Sequence, residues 1–286
     1  MESIQKTLDR LIPWLEQAHK HPQGVSGLPT SFKALDSLSS GWQRGELIVI
    51  TAPRRMGKVA FVLSMLNNSM YGDGLGTVWF STNLSTLYLT KMMLCNELKV
   101  EMHHLQSGKV DMEVLDEMCE KYKLAGVHFD DSPYLSIDDI DAKINEQFEI
   151  HPIDMVIIDN VNQLNYAESN QLKLADKFYQ LKTLARKYEI PIIGLLETEN
   201  RQKDMSSYSS DWLSLSDYEA LSKSVDVRIQ LYRPEYYKIT EFSDKSSTLG
   251  IAELLFSSFI GCGTVRFKYN STYFTFEEII KDAEAK

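Results

Sequence analysis

The run Ala52 to Val59, A-P-R-R-M-G-K-V, follows the apolar pattern G-E-L-I-V-I-T and leads into a helical pattern. At such a strand-to-helix turn, consecutive backbone N–H groups can cradle phosphate oxygens while a lysine reaches the terminal phosphates. Met56, Gly57 and Lys58 stand where this chemistry places the end of the loop, its last glycine and its lysine. The next position normally carries a hydroxyl that ligates magnesium. Here it is Val59, which cannot coordinate a metal. Arg54 and Arg55 add two cations, which either offset phosphate charge where a metal is poorly held or remain solvated loop arginines. Further along, M-V-I-I-D-N sets Asp159 at the end of a four-residue apolar run. A carboxylate there falls at the carboxyl edge of a parallel sheet, beside the phosphate loop. Asp159 is read as a ligand of a magnesium-bound water; an Asp closing a buried strand is also a common turn-starter.

The elements that must position these groups follow an alternating pattern. Short β-branched runs at Leu47 to Thr51, Thr77 to Ser81, Val127 to Asp130, Met155 to Asp159 and Pro191 to Leu196 read as strands. Helical patterns lie between them at Gly57 to Tyr71, Leu87 to Leu98, Met112 to Lys123, Ile137 to Phe148 and Gln171 to Tyr188. This predicts an α/β fold with a mainly parallel, doubly wound sheet. From Val225 onward β-rich segments V-R-I-Q-L-Y-R, A-E-L-L-F-S and T-V-R-F-K-Y predict antiparallel strands extending the sheet. At the front, Ile4, Leu8, Leu11, Ile12 and Leu15 recur at helical spacing over Ser3 to His19, with Pro13 expected to kink the helix. The segment H-P-Q-G-V-S-G-L-P-T that follows has linker chemistry. The helix either folds back on its own core or serves as an arm that docks on a neighbouring subunit.

Composition narrows the function classes. The 286 residues, 43% hydrophobic and 24% charged, exclude disordered, collagenous and disulfide-scaffold chains. A formal net charge of -10 repels a phosphate backbone overall, so any nucleic-acid contact must be local. Cys95, Cys119 and Cys262 are odd in number and far apart, as suits a reducing compartment. The close pairs His19 with His21 and His103 with His104 lack further ligands at zinc spacing. No apolar run approaches the ~20 residues needed to cross a bilayer, and no secretory leader pattern opens the chain. A cytoplasmic protein without membrane partners is expected.

The order of motifs resembles the ATPase domain of bacterial DnaB-type replicative helicases, a RecA-like fold. The resemblance covers Gly27 to about Phe276. It rests on G-L-P-T-S-F-K-A-L-D, A-P-R-R-M-G-K, L-Q-S-G-K-V, F-D-D-S-P-Y-L-S-I, I-I-D-N-V-N-Q-L, L-K-T-L-A-R-K-Y-E-I-P-I-I, L-Y-R-P-E-Y-Y and G-T-V-R-F. It implies residues 1–25 as a linker helix with its linker, and residues 26–286 as the RecA-like domain. By the same resemblance the lead helix packs on the adjacent protomer of a hexameric ring, ATP with magnesium is the ligand, and DNA replication is the process. Tyr232 and Arg233 match the family's Y-R dipeptide, which borders the nucleotide base. Arg201, Lys203 and Tyr208, in N-R-Q-K-D-M-S-S-Y, are the implied contacts to single-stranded DNA.

The chain departs from the family where the chemistry is done. The family's glutamate that polarises the attacking water corresponds to Asn83, and an amide cannot accept that proton. The family's sensor glutamine corresponds to Glu197. The Lys and Arg that reach a neighbour's γ-phosphate have no counterpart between Glu253 and Gly263. Losing a general base costs roughly 10²–10⁴-fold and losing an arginine finger roughly 10³–10⁵-fold. The resemblance therefore implies a degenerate member that keeps nucleotide binding and has lost most hydrolysis. Such a chain would act by binding nucleotide, single-stranded DNA, or a replicative helicase or its own protomers in a ring. Two alternatives stand beside it: an active helicase with relocated groups, Glu197 or Glu199 as base and Arg201 or Arg233 in trans; and a P-loop protein unrelated to DNA.

Overall fold

In chain order the elements are α1 (Ile4–Lys20), α2 (Lys33–Ser39), β1 (Leu47–Ala52), α3 (Lys58–Asp73), β2 (Thr77–Ser81), α4 (Thr86–Leu98), α5 (Met102–Gln106), α6 (Met112–Leu124), β3 (Val127–Asp130), α7 (Ile137–Phe148), β4 (Met155–Asp159), α8 (Leu174–Tyr188), β5 (Ile192–Glu197), α9 (Leu215–Ser224), β6 (Val227–Tyr232), β7 (Leu249–Ser258), β8 (Cys262–Asn270) and β9 (Thr275–Glu278). The computed structural model describes residues 3–20, 25–73, 75–164, 173–198, 215–233, 236, 249–258 and 261–279.

The nine strands among the described residues form one sheet in the order β3-β2-β4-β5-β1-β6-β7-β8-β9. The first six run parallel. Strands buried on both faces must be apolar throughout, and β1, L-I-V-I-T-A, and β4, M-V-I-I-D, are buried at every position. One core layer packs α3 and α4 on the sheet through Phe61, Leu63, Trp79 and Met93. The opposite layer packs α7 and α8 through Ile140, Ile144, Phe178 and Leu181. Two apolar layers around a parallel sheet are the doubly wound arrangement expected from the alternation of elements.

The tail differs from expectation in one respect. The sequence pattern groups β6 with the antiparallel strands, but it lies parallel to β1, pairing Ile48 with Val227 and Ile50 with Ile229. The connection from β5 returns through α9, and a crossover helix delivers a parallel strand where a tight hairpin delivers an antiparallel one. The antiparallel ribbon begins with β7 and continues through β8 to β9.

α1 runs through Pro13 as one helix of 17 residues. Its apolar residues Ile4, Leu8, Leu11, Ile12 and Leu15 are 40–74% exposed, so the stripe faces away from the core of this chain. Among the described residues no helix is long and apolar enough to cross a membrane.

Candidate nucleotide site

β1 ends at Ala52 and α3 starts at Lys58, leaving Pro53 to Gly57 as the connecting loop. Two residues give it its shape. Arg55 takes φ 65° and Gly57 takes φ 94°, both left-handed, and the second is a conformation that glycine adopts without penalty. Met56 is buried beneath the loop, whereas Arg54 and Arg55 are exposed. Lys58 Nζ folds back and donates to the carbonyls of Ala52 (2.8 Å) and Pro53 (3.2 Å). Val59 is partly buried against the apolar core, with no oxygen to offer a cation.

The acidic groups arrive from neighbouring strands. Glu197, the last residue of β5, lies directly beside Ala52 in register. Asp159, the last residue of β4, pairs with Leu195 on the far side of β5. Glu197 Oε1 accepts from Arg54 Nε at 2.5 Å. Its main chain is clamped by Asn162, whose Nδ2 donates to the Glu197 carbonyl (3.1 Å) and whose Oδ1 accepts from the Glu197 N–H (2.9 Å). Lys177 Nζ donates to the carbonyls of Val161 and Asn162 and holds that turn from below. Thr82 ties β2 to β4: its N–H donates to the Asp159 carbonyl (2.6 Å), and its hydroxyl accepts from the Asn160 N–H (3.1 Å).

Lys58, Arg54, Asp159 and Glu197 form a compact charge cluster. Burial lowers the Lys58 ammonium to about 8, against the pull of Glu197 and, less strongly, of Asp159. Burial raises the Asp159 carboxyl to about 6, which Lys58 opposes and Glu197 reinforces. Asp159 is 4% exposed, and among the described residues no donor is hydrogen-bonded to its carboxylate. A buried carboxylate beside an ammonium drawn onto main-chain carbonyls is an arrangement suited to receiving a polar ligand.

The remaining expected residues are distributed unevenly. Asn83 lies just beyond β2, exposed, on the edge shared with Asp159. Arg233, expected at the base, lies against the phosphate loop itself: its Nη1 donates to the Arg55 carbonyl (3.1 Å) and its guanidinium stacks 4.1 Å from the Tyr269 ring centre. Tyr232, half-buried, ends β6 beside it. Arg201, Lys203, Tyr208 and Glu199 lie outside the described residues.

Sequence reasoning missed the residues that support the loop. Phe276 of β9 packs under Gly57, where an added Cβ would come 3.1 Å from its Cζ. Ser64 Oγ accepts from the Phe276 N–H (2.9 Å), and Asn96 Nδ2 donates to Ser64 Oγ (2.9 Å), pinning β9 to α3 and α4. Asn162, one of several polar residues in N-V-N-Q-L, carried no distinguishing signal. Among the described residues no cluster of three or more His, Cys, Asp or Glu could hold a metal.

Comparison with known proteins bears on this site. A protein-family profile described as DnaB-like helicase C terminal domain matches residues 27–278. The replicative DNA helicase DnaB of Geobacillus stearothermophilus is 27% identical over 78% of this chain and 51% of its own length. A probable replicative DNA helicase of Trieres chinensis is 28% identical over 94% of this chain and 61% of its own. The chain thus spans about half the length of the curated relatives it matches. Two solved structures share the fold at low identity. One, an isolated ATPase domain, aligns with a TM-score of 0.82 and 20% identity over 98% of this chain and all of its own. The other, a DnaB-like replicative helicase described with its interactions with primase, aligns at 0.78 and 21% identity over 96% of this chain and 67% of its own. With residues 27–278 matched, this chain belongs to the family of DnaB-like helicase C-terminal domains.

Proposed function

We propose that this chain is a DnaB-like helicase-family protein that binds nucleotide at the Lys58 loop but hydrolyses ATP weakly or not at all, and that it acts in DNA replication by binding. The observation that carries this reading is the set of groups around Lys58. Asp159 is buried with its carboxyl raised to about 6, Glu197 is ion-paired to Arg54, and Asn83 supplies an amide where a proton acceptor is needed. A general base must be deprotonated and within reach of its proton. Asn83 cannot take a proton, Glu197 is held by Arg54, and Asp159 stands where the resemblance places a magnesium ligand and not the base.

Phosphate binding fits the residues present. The left-handed Gly57, the N-terminus of α3 and the Lys58 ammonium make an anion-binding cradle, and Arg54 and Arg55 stand at its rim. Magnesium fits less well, because Val59 contributes no oxygen and the second strand-end carboxylate, Glu197, is engaged by Arg54, which leaves Asp159 as the ligand. Tyr232 would border the base side while Arg233 braces the phosphate turn, and Arg201, Lys203 and Tyr208 would meet single-stranded DNA. The exposed apolar stripe of α1 is suited to a neighbouring protomer, in a ring of this chain or mixed with a replicative helicase.

Steady-state ATPase measurements with magnesium, with and without single-stranded DNA, test the reading. Phosphate release at background level together with measurable nucleotide binding is expected. Brisk turnover abolished by Lys58→Ala would reject it and favour a working helicase.

A further inference from the structure

Lys58 Nζ and the Thr198 N–H both donate to the Ala52 carbonyl, at 2.8 and 3.1 Å. This shared acceptor brings the end of β5, and with it Glu197, alongside the ammonium that meets the terminal phosphate of a bound nucleotide. Glu197 cannot withdraw its main chain, since Asn162 brackets it from both the N–H and the carbonyl. Its carboxylate reaches across the loop to Arg54, which is itself 79% exposed. Of the two acids, Glu197 supports the Lys58 ammonium more strongly than Asp159 does.

Building on the nucleotide-site reading, we infer that Glu197 sets the phosphate-number preference of this site, favouring a nucleoside diphosphate over a triphosphate, with Arg54 as the counter-charge that limits the exclusion. The inner four groups balance before any ligand arrives, Lys58 and Arg54 against Asp159 and Glu197, while Arg55 is exposed at the rim and Arg233 is engaged by the Arg55 carbonyl and Tyr269. A diphosphate draws on the backbone cradle and the lysine. A third phosphate brings further negative charge to the end of the lysine where the Glu197 carboxylate is fixed, and like charges a few ångströms apart in a partly desolvated site repel strongly. Accommodating it requires Arg54 to leave Glu197 for the phosphate, which exposes the carboxylate that repels it. A glutamine at this position would keep the shape and remove the charge.

Calorimetric titration of magnesium–ADP and of the magnesium complex of the non-hydrolysed β,γ-imido triphosphate tests this on the full chain. The wild type should bind the diphosphate about tenfold more tightly, which is about 1.4 kcal/mol. Glu197→Gln should move the diphosphate-to-triphosphate affinity ratio about tenfold toward the triphosphate, whatever it does to both through Lys58, and the fold should hold because the Asn162 clamp engages only main-chain atoms of residue 197. Arg54→Ala, at an exposed position, should weaken the triphosphate more than the diphosphate. A diphosphate-to-triphosphate ratio that is the same in wild type and Glu197→Gln would overturn the inference while leaving the nucleotide site standing. Binding of neither ligand by the wild type would remove both.

Discussion

The Phe276 ring lies directly beneath Gly57, so that a methyl group on this glycine would come within 3.1 Å of the ring edge. Gly57 also holds φ 94°, which side-chain-bearing residues rarely adopt. Gly57→Ala should therefore destabilise the fold by about 1–3 kcal/mol, read from urea unfolding midpoints. Adding Phe276→Leu to relieve the contact should not restore stability, because the backbone strain persists. Full recovery in that pair would show that steric crowding, and not the dihedral, is the constraint.

Titration of Lys58 should appear in nucleotide affinity. Its ammonium is lowered to about 8 by burial, and bound phosphates would hold it protonated. Affinity should be level between about pH 6.5 and 7.5, then fall above pH 8, approaching tenfold per unit, with proton uptake on binding. The same shift acts on folding. A lowered lysine opposes folding at neutral pH, and this cost is lifted as pH rises from about 8 toward the ordinary 10.5. Asp159, raised from 3.8 to about 6, lowers stability as pH climbs between those values, since the folded state holds its proton longer. Calorimetric titrations in buffers of different ionisation enthalpy measure the uptake; its absence above pH 8 would contradict this placement of Lys58.

Nucleotide should stabilise the wild type and not the Lys58→Ala variant. At 100 times the dissociation constant a ligand adds about 2.7 kcal/mol, a shift readily seen in a thermal melt. An equal shift in both proteins would place the ligand elsewhere.

Restoring Asn83→Glu and Val59→Thr together should not yield strong ATPase activity, because the stretch Glu253 to Gly263 carries no lysine or arginine where the resemblance places the trans cation. Val59 sits at the first turn of α3 and Asn83 on an exposed turn, so neither change should disturb packing severely. Rapid hydrolysis by the double variant would show that a trans cation is present after all.

Leu8→Asp with Ile12→Asp on α1 should abolish self-association, if the stripe covers a neighbouring protomer, while leaving the melting temperature within a few degrees. Sedimentation velocity measures the first and calorimetry the second. A large drop in melting temperature of a monomeric species would mean that the helix packs on its own chain.

The parts of this molecule that could be read from its sequence are those where burial dictates residue type. β1 and β4 are apolar at nearly every position because both faces are covered, so the places of Lys58 and Asp159 followed from where those runs end. The direction of β6 did not follow, since its alternating pattern reads alike in parallel and antiparallel strands, and the choice was made by α9. The seven-residue α2 escaped notice because so short a helix gives little periodicity. The Arg54–Glu197 pair was hidden for another reason: an exposed loop arginine satisfies its charge equally well in water, and only the β1–β5 register brings the acid to it. Phe276 and Tyr269 support the loop from more than two hundred residues away along the chain, across contacts that no local pattern encodes.

Arg233 grips the Arg55 carbonyl with one nitrogen while its flat face rests on Tyr269 of β8. The guanidinium is thus a strut between the outer ribbon and the turn that would hold phosphate. Moving Tyr269 would therefore disturb the carbonyl side of the phosphate turn, so β8 is part of what keeps that turn in shape although it lies far from it along the chain.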